Sequence, residues 1–467
     1  MRDKFILHSS DYSEGKQGKR HPRQIRHSEQ SGVQLTDSLR KEFEIPTIFS
    51  LLDLDFYKLT MGQFVWDHKE LCDVPVKYEF KNRTDKVRLA DYIPKDVLER
   101  QLKRIQGLRM TDEDILHLKS IRGDKESLFS DEYLKSLKDL RLPYVNLSQE
   151  NGQYHISVEG SWSKAIYWET LILSTVNELY YRALRHETGR SEEDVRTEGR
   201  ARLQRKIGRL QALIERENAQ GRKGPVLIDF GTRRRYGGDW QEEVIRETVK
   251  AFPNNFLGTS NVHLSRRLGI PARGTKAHEL DMGFSGKYHD EDDMAGTFES
   301  HNRLMDMWYR YREYGKALSI ALTDTYGSDF FFANFTKEQA IKWNGIRQDS
   351  GDPFEIGEKA IKFYQDNGID PTAKILIFSD GLYDDLIIEL YKRFKVRINP
   401  IFAWGTTLTN DVGFGTLSLV VKATEANGHK TVKLSDTRGK ETGDRESIER
   451  AKRFSGHTGG IDKELVV

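Results

Sequence analysis

A single cysteine, Cys72, occurs among 467 residues. One thiol closes no internal disulfide and builds no Cys-rich zinc site; alone it reads as a small buried hydrophobe. Charge of one sign is equally lacking, since 74 Lys and Arg stand against 72 Asp and Glu for a formal net charge of +2. Such a chain is no global polycation, which argues against bulk nucleic-acid binding. No stretch approaches the roughly 18 apolar residues needed to cross a bilayer, and the N-terminal region has no apolar signal core. A cytoplasmic protein with no membrane partner is therefore expected. Short internal repeats and long Pro- or Ser-rich linkers are missing too. What is there, 37% hydrophobic and 31% charged residues, suits a folded protein of two or three domains at ~150 residues each.

Residues 1–45 are expected to form a flexible polar tail. Between Glu14 and Gly32 the only aliphatic side chain is Ile25, too little apolar surface to offset the entropy of ordering. Residues 46–165 mix short strands (Val76–Phe80, Tyr154–Val158) with charged helices and read as an N-terminal α/β domain, joined by part of a C-terminal segment, 425–467. Residues 166–424 read as a second domain. It opens with a buried helix, Ala165–Leu184, followed by a solvated one over 191–218. Short apolar runs then recur at Val226–Ile228, Asn255–Leu257, Ala317–Leu322, Ile375–Phe378, Ile398–Phe402 and Leu417–Val421. Helical patterns lie between several of them (Gln241–Ala251, Phe354–Asp366, Leu382–Phe394). That alternation predicts parallel βα units, as a barrel or a doubly wound sheet.

The residues after each apolar run carry the chemistry. Asp229 follows the first, Gly258–Ser260 the second, Asp324 the third, Asp380 the fourth, and Gly405-Thr406 the fifth. Two further segments extend the series, one with His278 and one with Arg347 and Asp349. Parallel strands gather their C-terminal ends on one face, where ligands bind. Loops after strands are polar in any protein, but acids, arginines and a histidine repeated in series are not generic. Phe230–Tyr236 includes three consecutive arginines, Arg233, Arg234 and Arg235, whose planar forks suit phosphate or carboxylate; a solvated turn is the plainer reading. Gly405–Asn410 offers backbone N–H groups and hydroxyls, a weak phosphate-cradle pattern. Asp324, Asp349 and Asp380 suit Mg²⁺, ribose hydroxyls or a developing cation. His278 reads as a structural histidine, a general base, a phosphate ligand or a phosphate-accepting nucleophile. No Gly-Lys pair is followed by Ser or Thr, so a Walker A loop is excluded. The acidic stretch between His289 and His301 lacks zinc-ligand spacing.

From about Phe49 to Gly456 the chain resembles the nicotinate phosphoribosyltransferase family. The resemblance rests on LLDLDFYKLTM (51–61), IDFGTRRR (228–235), GTSNV (258–262), GTKAHE (274–279), ALTDT (321–325), RQDSGDP (347–353), FSDGL (378–382), GTTLTND (405–411) and KLSD (433–436), with Gly439-Lys440 following. It implies an irregular parallel α/β barrel of the type II phosphoribosyltransferase kind, with an N-terminal α/β sandwich domain. It implies transfer of phosphoribosyl from phosphoribosyl pyrophosphate to nicotinate, coupled to ATP hydrolysis, with Mg²⁺ as cofactor, in NAD salvage. It also implies a head-to-tail homodimer whose shared sites take Asp55 and Tyr57 from the neighbour. Tyr57 and Phe230 would cover the two faces of the nicotinate ring, and Arg233 and Arg347 would face its substituent and the phosphates. His278 would be the histidine phosphorylated from ATP, its ring oriented by Asp324. Asp349 and Asp380 would lie near ribose and metal, and Arg234, Gly381, Gly405, Thr406 and Lys433 near phosphate. Ser260, where nicotinamide-using relatives carry an acid, points to nicotinate. Trp404 departs from the smaller aliphatic residue usual in the family, and Leu54 from the usual Thr. The other readings are a nicotinamide-using transferase and a non-catalytic sugar-phosphate-binding protein.

Overall fold

The structure, a computed structural model, describes residues 35–289 and 295–461; most of the expected tail and the acidic Asp290, Glu291, Asp292 and Asp293 lie outside them. Two sheets organise these residues. In the first, β1 (Pro75–Asn82), β2 (Val145–Glu150) and β3 (Gln153–Ser161) pair antiparallel. Burial alternates along β1, with Val76, Tyr78 and Phe80 inside and Glu79 and Lys81 outside, the period of a strand covered on one face. The β2–β3 hairpin turns at Asn151-Gly152, both at positive φ. β2 escapes the sequence reading, although Asn-Gly is a strong hairpin signal.

The second sheet holds six parallel strands: β4 (Val226–Asp229), β5 (Phe256–Thr259), β6 (Ile320–Leu322), β7 (Gly345–Gln348), β8 (Ile375–Phe378) and β9 (Asn399–Trp404). Their order is β5-β4-β9-β8-β7-β6. Helices Gly238–Ala251, Pro353–Asp366 and Asp384–Phe394 make crossovers between them. The second begins with Pro353 in its first turn and the Asp352 carboxylate accepting from the backbone N–H groups of Phe354 and Glu355, a strong start signal. The chain is thus the α/β protein expected, with a parallel α/β array beside an N-terminal layer.

Three expectations need correction. Leu417–Val421 does not join the parallel series. It lies in β10 (Leu419–Ala426), which pairs antiparallel with β1 and carries β11 (His429–Lys430) at the sheet edge. Its half-buried alternation, with Lys422 between Val421 and Ala423, marks it as one-sided, whereas β6 and β7 are buried throughout. Residues 37–44 are not tail: Asp37–Glu44 is a helix capped by Thr36 that buries Leu39 and Phe43. The expected helix from Ala165 is interrupted, with a short turn at Trp162–Ala165 and the long buried helix running Trp168–Glu187.

The segment 51–57 is laid onto the residues beyond β5. Phe56 N–H donates to Ser260 C=O (2.7 Å), and Val262 N–H to Leu54 C=O (3.1 Å). Beneath it, Arg235 clasps Asp53 through both terminal nitrogens, at 2.6 and 2.8 Å. Asn261 also donates to Asp53, at 2.7 Å, and both charged residues are buried. Removing one partner of such a pair leaves an uncompensated buried charge. Asp53→Ala is expected to cost about 3–5 kcal/mol, read as a lowered urea midpoint at unchanged slope; a midpoint within error of the parent refutes this.

Candidate functional site

The C-terminal ends of the parallel strands open onto a cavity of about 170 Å³. Phe230, Arg233 and Arg234 reach it from the turn after β4, Arg347 and Asp349 from β7 and the residue beyond, Asp380 and Gly381 from the loop after β8, and Gly405 and Thr406 from the turn after β9. His278, the first residue of helix His278–Lys287, and Lys433 also line it, and Tyr57 enters from the 51–57 segment. Each aromatic ring has an arginine beside it: Arg233 lies 5.8 Å from the Tyr57 centroid and Arg347 6.0 Å from that of Phe230.

Three expected residues stand behind this wall. Asp324 is fully buried, its Oδ2 accepting from Lys433 (2.8 Å) and Ser350 (2.5 Å). Ser260 is buried and donates to Asp55 Oδ1 at 2.6 Å, so it reaches the cavity only through Asp55. Asp55 lies 3.3 Å from Arg233 Nε. Asp55 and Tyr57 were expected from a neighbouring subunit, and the structure corrects this. The hydrogen bonds that dock 51–57 onto residues 260–262 bring Tyr57 into the cavity of its own chain and Asp55 just behind it. Asp229, another strand-end acid, is scaffold: it accepts from Thr259 (2.6 Å), Gly231 N–H (2.8 Å) and Gln241 (2.9 Å). Burial pushes its carboxyl up to about 6.

His278 is buried, with Nε2 at 3.0 Å from Asp349 and 3.5 Å from Asp324. Carboxylates only accept, so Nε2 carries the proton, and Nδ1 accepts from the Thr325 hydroxyl at 2.9 Å. Burial and the Lys433 charge push the imidazole down to about 4, against the pull of the two carboxylates. A neutral ring at pH 7 is a competent nucleophile or base. Asp349 resists burial and stays well below the usual carboxylate range because Arg347, His278 and Lys433 face it.

Sequence reasoning missed the cavity's other wall. Arg83, Lys422 and Lys440 come from the end of β1, from β10 and from the segment beyond. Burial lowers all three, and it brings Arg234, which Arg233 and Arg83 also repel, down to about 10. Nε of Arg347 and Nε of Arg83 are buried without an acceptor. Such a set calls for an anion of several charges. Glu169 was missed too. It lies beneath Tyr57, accepting from its hydroxyl (3.2 Å), and meets Lys58 (2.7 Å), Lys422 (3.3 Å) and Arg233 (3.4 Å). No spacing rule finds it, because its partners are scattered along the chain; for Arg83 and Lys422 the only sequence signal was a cation inside or beside an alternating strand.

Sequence profiles of the nicotinate phosphoribosyltransferase (NAPRTase) family match residues 226–455, and of its N-terminal domain residues 52–177. A nicotinate phosphoribosyltransferase from Vibrio cholerae is 31% identical, with a TM-score of 0.77 over 90% of this chain and 96% of its own. The enzyme from Porphyromonas gingivalis is 28% identical at TM-score 0.74, covering 88% and 100%. A putative one from Saccharomyces cerevisiae is 28% identical at TM-score 0.75, covering 89% and 100%. The chain belongs to the nicotinate phosphoribosyltransferase family.

The two residues read above as departures from the nicotinate phosphoribosyltransferase pattern take different places. Leu54 turns its side chain fully into the core while its carbonyl serves the docked segment. Trp404 ends β9 and binds the next turn through its indole. No helix among the described residues is long and apolar enough to cross a membrane. The His278 ring is expected to titrate near 4, measured by NMR of ring-labelled protein with His278→Gln assigning the signal; a midpoint near the ordinary 6.5 contradicts the burial argument.

Proposed function

We propose that the chain transfers phosphoribosyl from phosphoribosyl pyrophosphate to nicotinate, giving nicotinate mononucleotide and pyrophosphate in NAD salvage, coupled to ATP hydrolysis through His278. The observation that carries this is the pairing of an excess of half-buried cations over carboxylates with two arginine-flanked aromatic rings in one cavity. A flat anionic ring suits Tyr57, Phe230 and Arg233, whose guanidinium is steered by Asp55 and Glu169. A substrate with a 5′-phosphate and a pyrophosphate suits Arg83, Arg234, Lys422, Lys440 and the turn at Gly405. Asp349 and Asp380 face the ribose region, where carboxylates stabilise the positive charge that grows as pyrophosphate leaves. In the coupled step, the Thr325 hydroxyl turns away from His278 Nδ1, which attacks the γ-phosphorus of ATP, and the bond to ADP breaks. The Nε2 proton stays between Asp349 and Asp324, which balance the charge on the phosphorylated ring. Water later cleaves the P–N bond and releases phosphate.

Mg²⁺ fits the cavity as a counter-ion of the substrate. Asp349 keeps 31% of its side chain open, and with Asp380 it offers the hard oxygens this ion prefers. These two residues would hold Mg²⁺, which when bound neutralises the departing pyrophosphate. His278, Asp324 and Asp349 also bring donor atoms within 4.8 Å of one another. That cluster includes an imidazole nitrogen, so it suits Mg²⁺ less well than oxygen donors alone.

The reading is tested by product formation from phosphoribosyl pyrophosphate and Mg²⁺ with nicotinate or nicotinamide, each with and without ATP. Nicotinate mononucleotide, formed faster with ATP, is expected, and His278→Ala is expected to lose the stimulation. Product from nicotinamide alone, or full stimulation in His278→Ala, would overturn the specificity or the coupling respectively. Ser260→Asp sets a second carboxylate against Asp55 and loosens its hold on Arg233. It is expected to raise KM for nicotinate about tenfold, the ~1.4 kcal/mol of one charge-assisted hydrogen bond; unchanged saturation kinetics would count against a route through Asp55.

A further inference from the structure

The turn Gly405–Thr407 and the loop Ser379–Leu382 border the same cavity, yet they follow different strands. One side chain ties them together. Thr407 Oγ1 accepts the indole N–H of Trp404 at 2.6 Å and donates its own hydrogen to the carbonyl of Leu382. Its one proton is thereby committed inside the protein, so the hydroxyl has none left to donate to a ligand. The backbone of the same residue is held from the far side. Lys206, on helix Glu192–Asn218, donates to Thr407 C=O and pairs with Asp411 at 2.5 Å, where Arg202 joins it at 2.7 Å. Trp404 is 1% exposed, and the Lys206 ammonium stands 5.8 Å from its ring. An aliphatic residue at 404 fills space but donates nothing, and the Thr407 hydroxyl then loses the indole donor that orients it.

We propose that Trp404 and Thr407 form a strut that fixes the spacing between these two loops, making them positioning residues for the phosphorylated end of the substrate. The strut rests on the reading of this cavity as a phosphoribosyl pyrophosphate site. It acts through the geometry of backbone N–H groups rather than through contact with the ligand. Its strength is that of one neutral hydrogen bond and its consequences for alignment, a factor of about 3–10 in affinity.

Calorimetric binding of phosphoribosyl pyrophosphate with Mg²⁺ to the full chain, together with steady-state kinetics, tests it. Trp404→Phe keeps the aromatic ring and removes the N–H. It is expected to weaken phosphoribosyl pyrophosphate binding about 3–10-fold while KM for nicotinate, at saturating cosubstrate, moves less than about twofold. Thr407→Val removes this bond and the one to Leu382 and should weaken binding at least as much, and the double variant should match Thr407→Val, because that change already leaves the indole without its acceptor. Thr407→Ser retains both hydrogen bonds and is expected to bind like the parent. Parent-like binding by Trp404→Phe, additive losses in the double variant, or a Thr407→Ser as weak as Thr407→Val each overturn the strut. If Trp404→Phe fails to fold, the Val and Ser variants at 407 decide alone. A parent protein that binds no phosphoribosyl pyrophosphate overturns the reading of the cavity itself, a result distinct from any difference between variants.

Discussion

The bidentate clasp of Arg235 on Asp53 joins residues 182 positions apart, and the rest of the site depends on it. Two buried charges are stable only when geometry and further hydrogen bonds complete the shells of both. Asn261 supplies one for Asp53, and the Thr47 carbonyl and Gln241 accept from Arg235 at 3.3 Å each, leaving only its Nε without an acceptor. With the clasp closed, 51–57 has one place to lie, along the residues beyond β5. Asp55 then meets Ser260 and Arg233, and Tyr57 enters the cavity. Asp55 and Tyr57, which resemblance assigns to a neighbouring subunit, stand beside the cavity of their own chain, because these contacts lie between segments of the same fold.

Charge is divided sharply across the cavity floor. Beneath Tyr57, Lys58 is fully buried between Glu169 and Glu279, and Glu279 also accepts from Tyr78 at 2.5 Å. Those acids and bases satisfy one another. Above them, Arg83, Arg234, Lys422 and Lys440 are drawn below their ordinary values by burial, since the carboxylates nearby are too few or already engaged. The Lys440 ammonium does reach Asp380, so the imbalance is one of number rather than of complete isolation. Low-dielectric surroundings make such an excess costly without a ligand and rewarding with one. His278 lies at the border, kept neutral by burial and by Lys433 while two carboxylates stand ready on its Nε2 side.

Much of the site was legible along the chain because parallel topology converts a one-dimensional rhythm into a common face. Once strands recur with helices between them, the residues just after each strand must converge, and Arg233, Arg347, Asp349, Asp380 and Gly405 do. The rhythm does not say how deep each side chain sits. Asp229 and Asp349 look alike as acids at strand ends, yet one is locked among three donors and the other faces the cavity. Leu417–Val421 looked like another buried strand, and its period-two alternation, with Lys422 on the open side, places it in the other sheet. The Asn151-Gly152 turn was available as a signal and β2 was still overlooked.

By itself the sequence determined the chemistry on offer: acids, arginines, a histidine and small-residue loops set at strand ends, and motifs that specify the family. Those are properties of residue type and local order, and short-range sterics and patterning fix them. Tertiary structure decided which charges are paired. Glu169 gathers partners from residues 57 to 422, and the cations of β1 and β10 reach the cavity only because an antiparallel sheet closes its open side. Whether a buried arginine is neutralised or left for a ligand depends on a carboxylate hundreds of residues away, and no local pattern carries that distance.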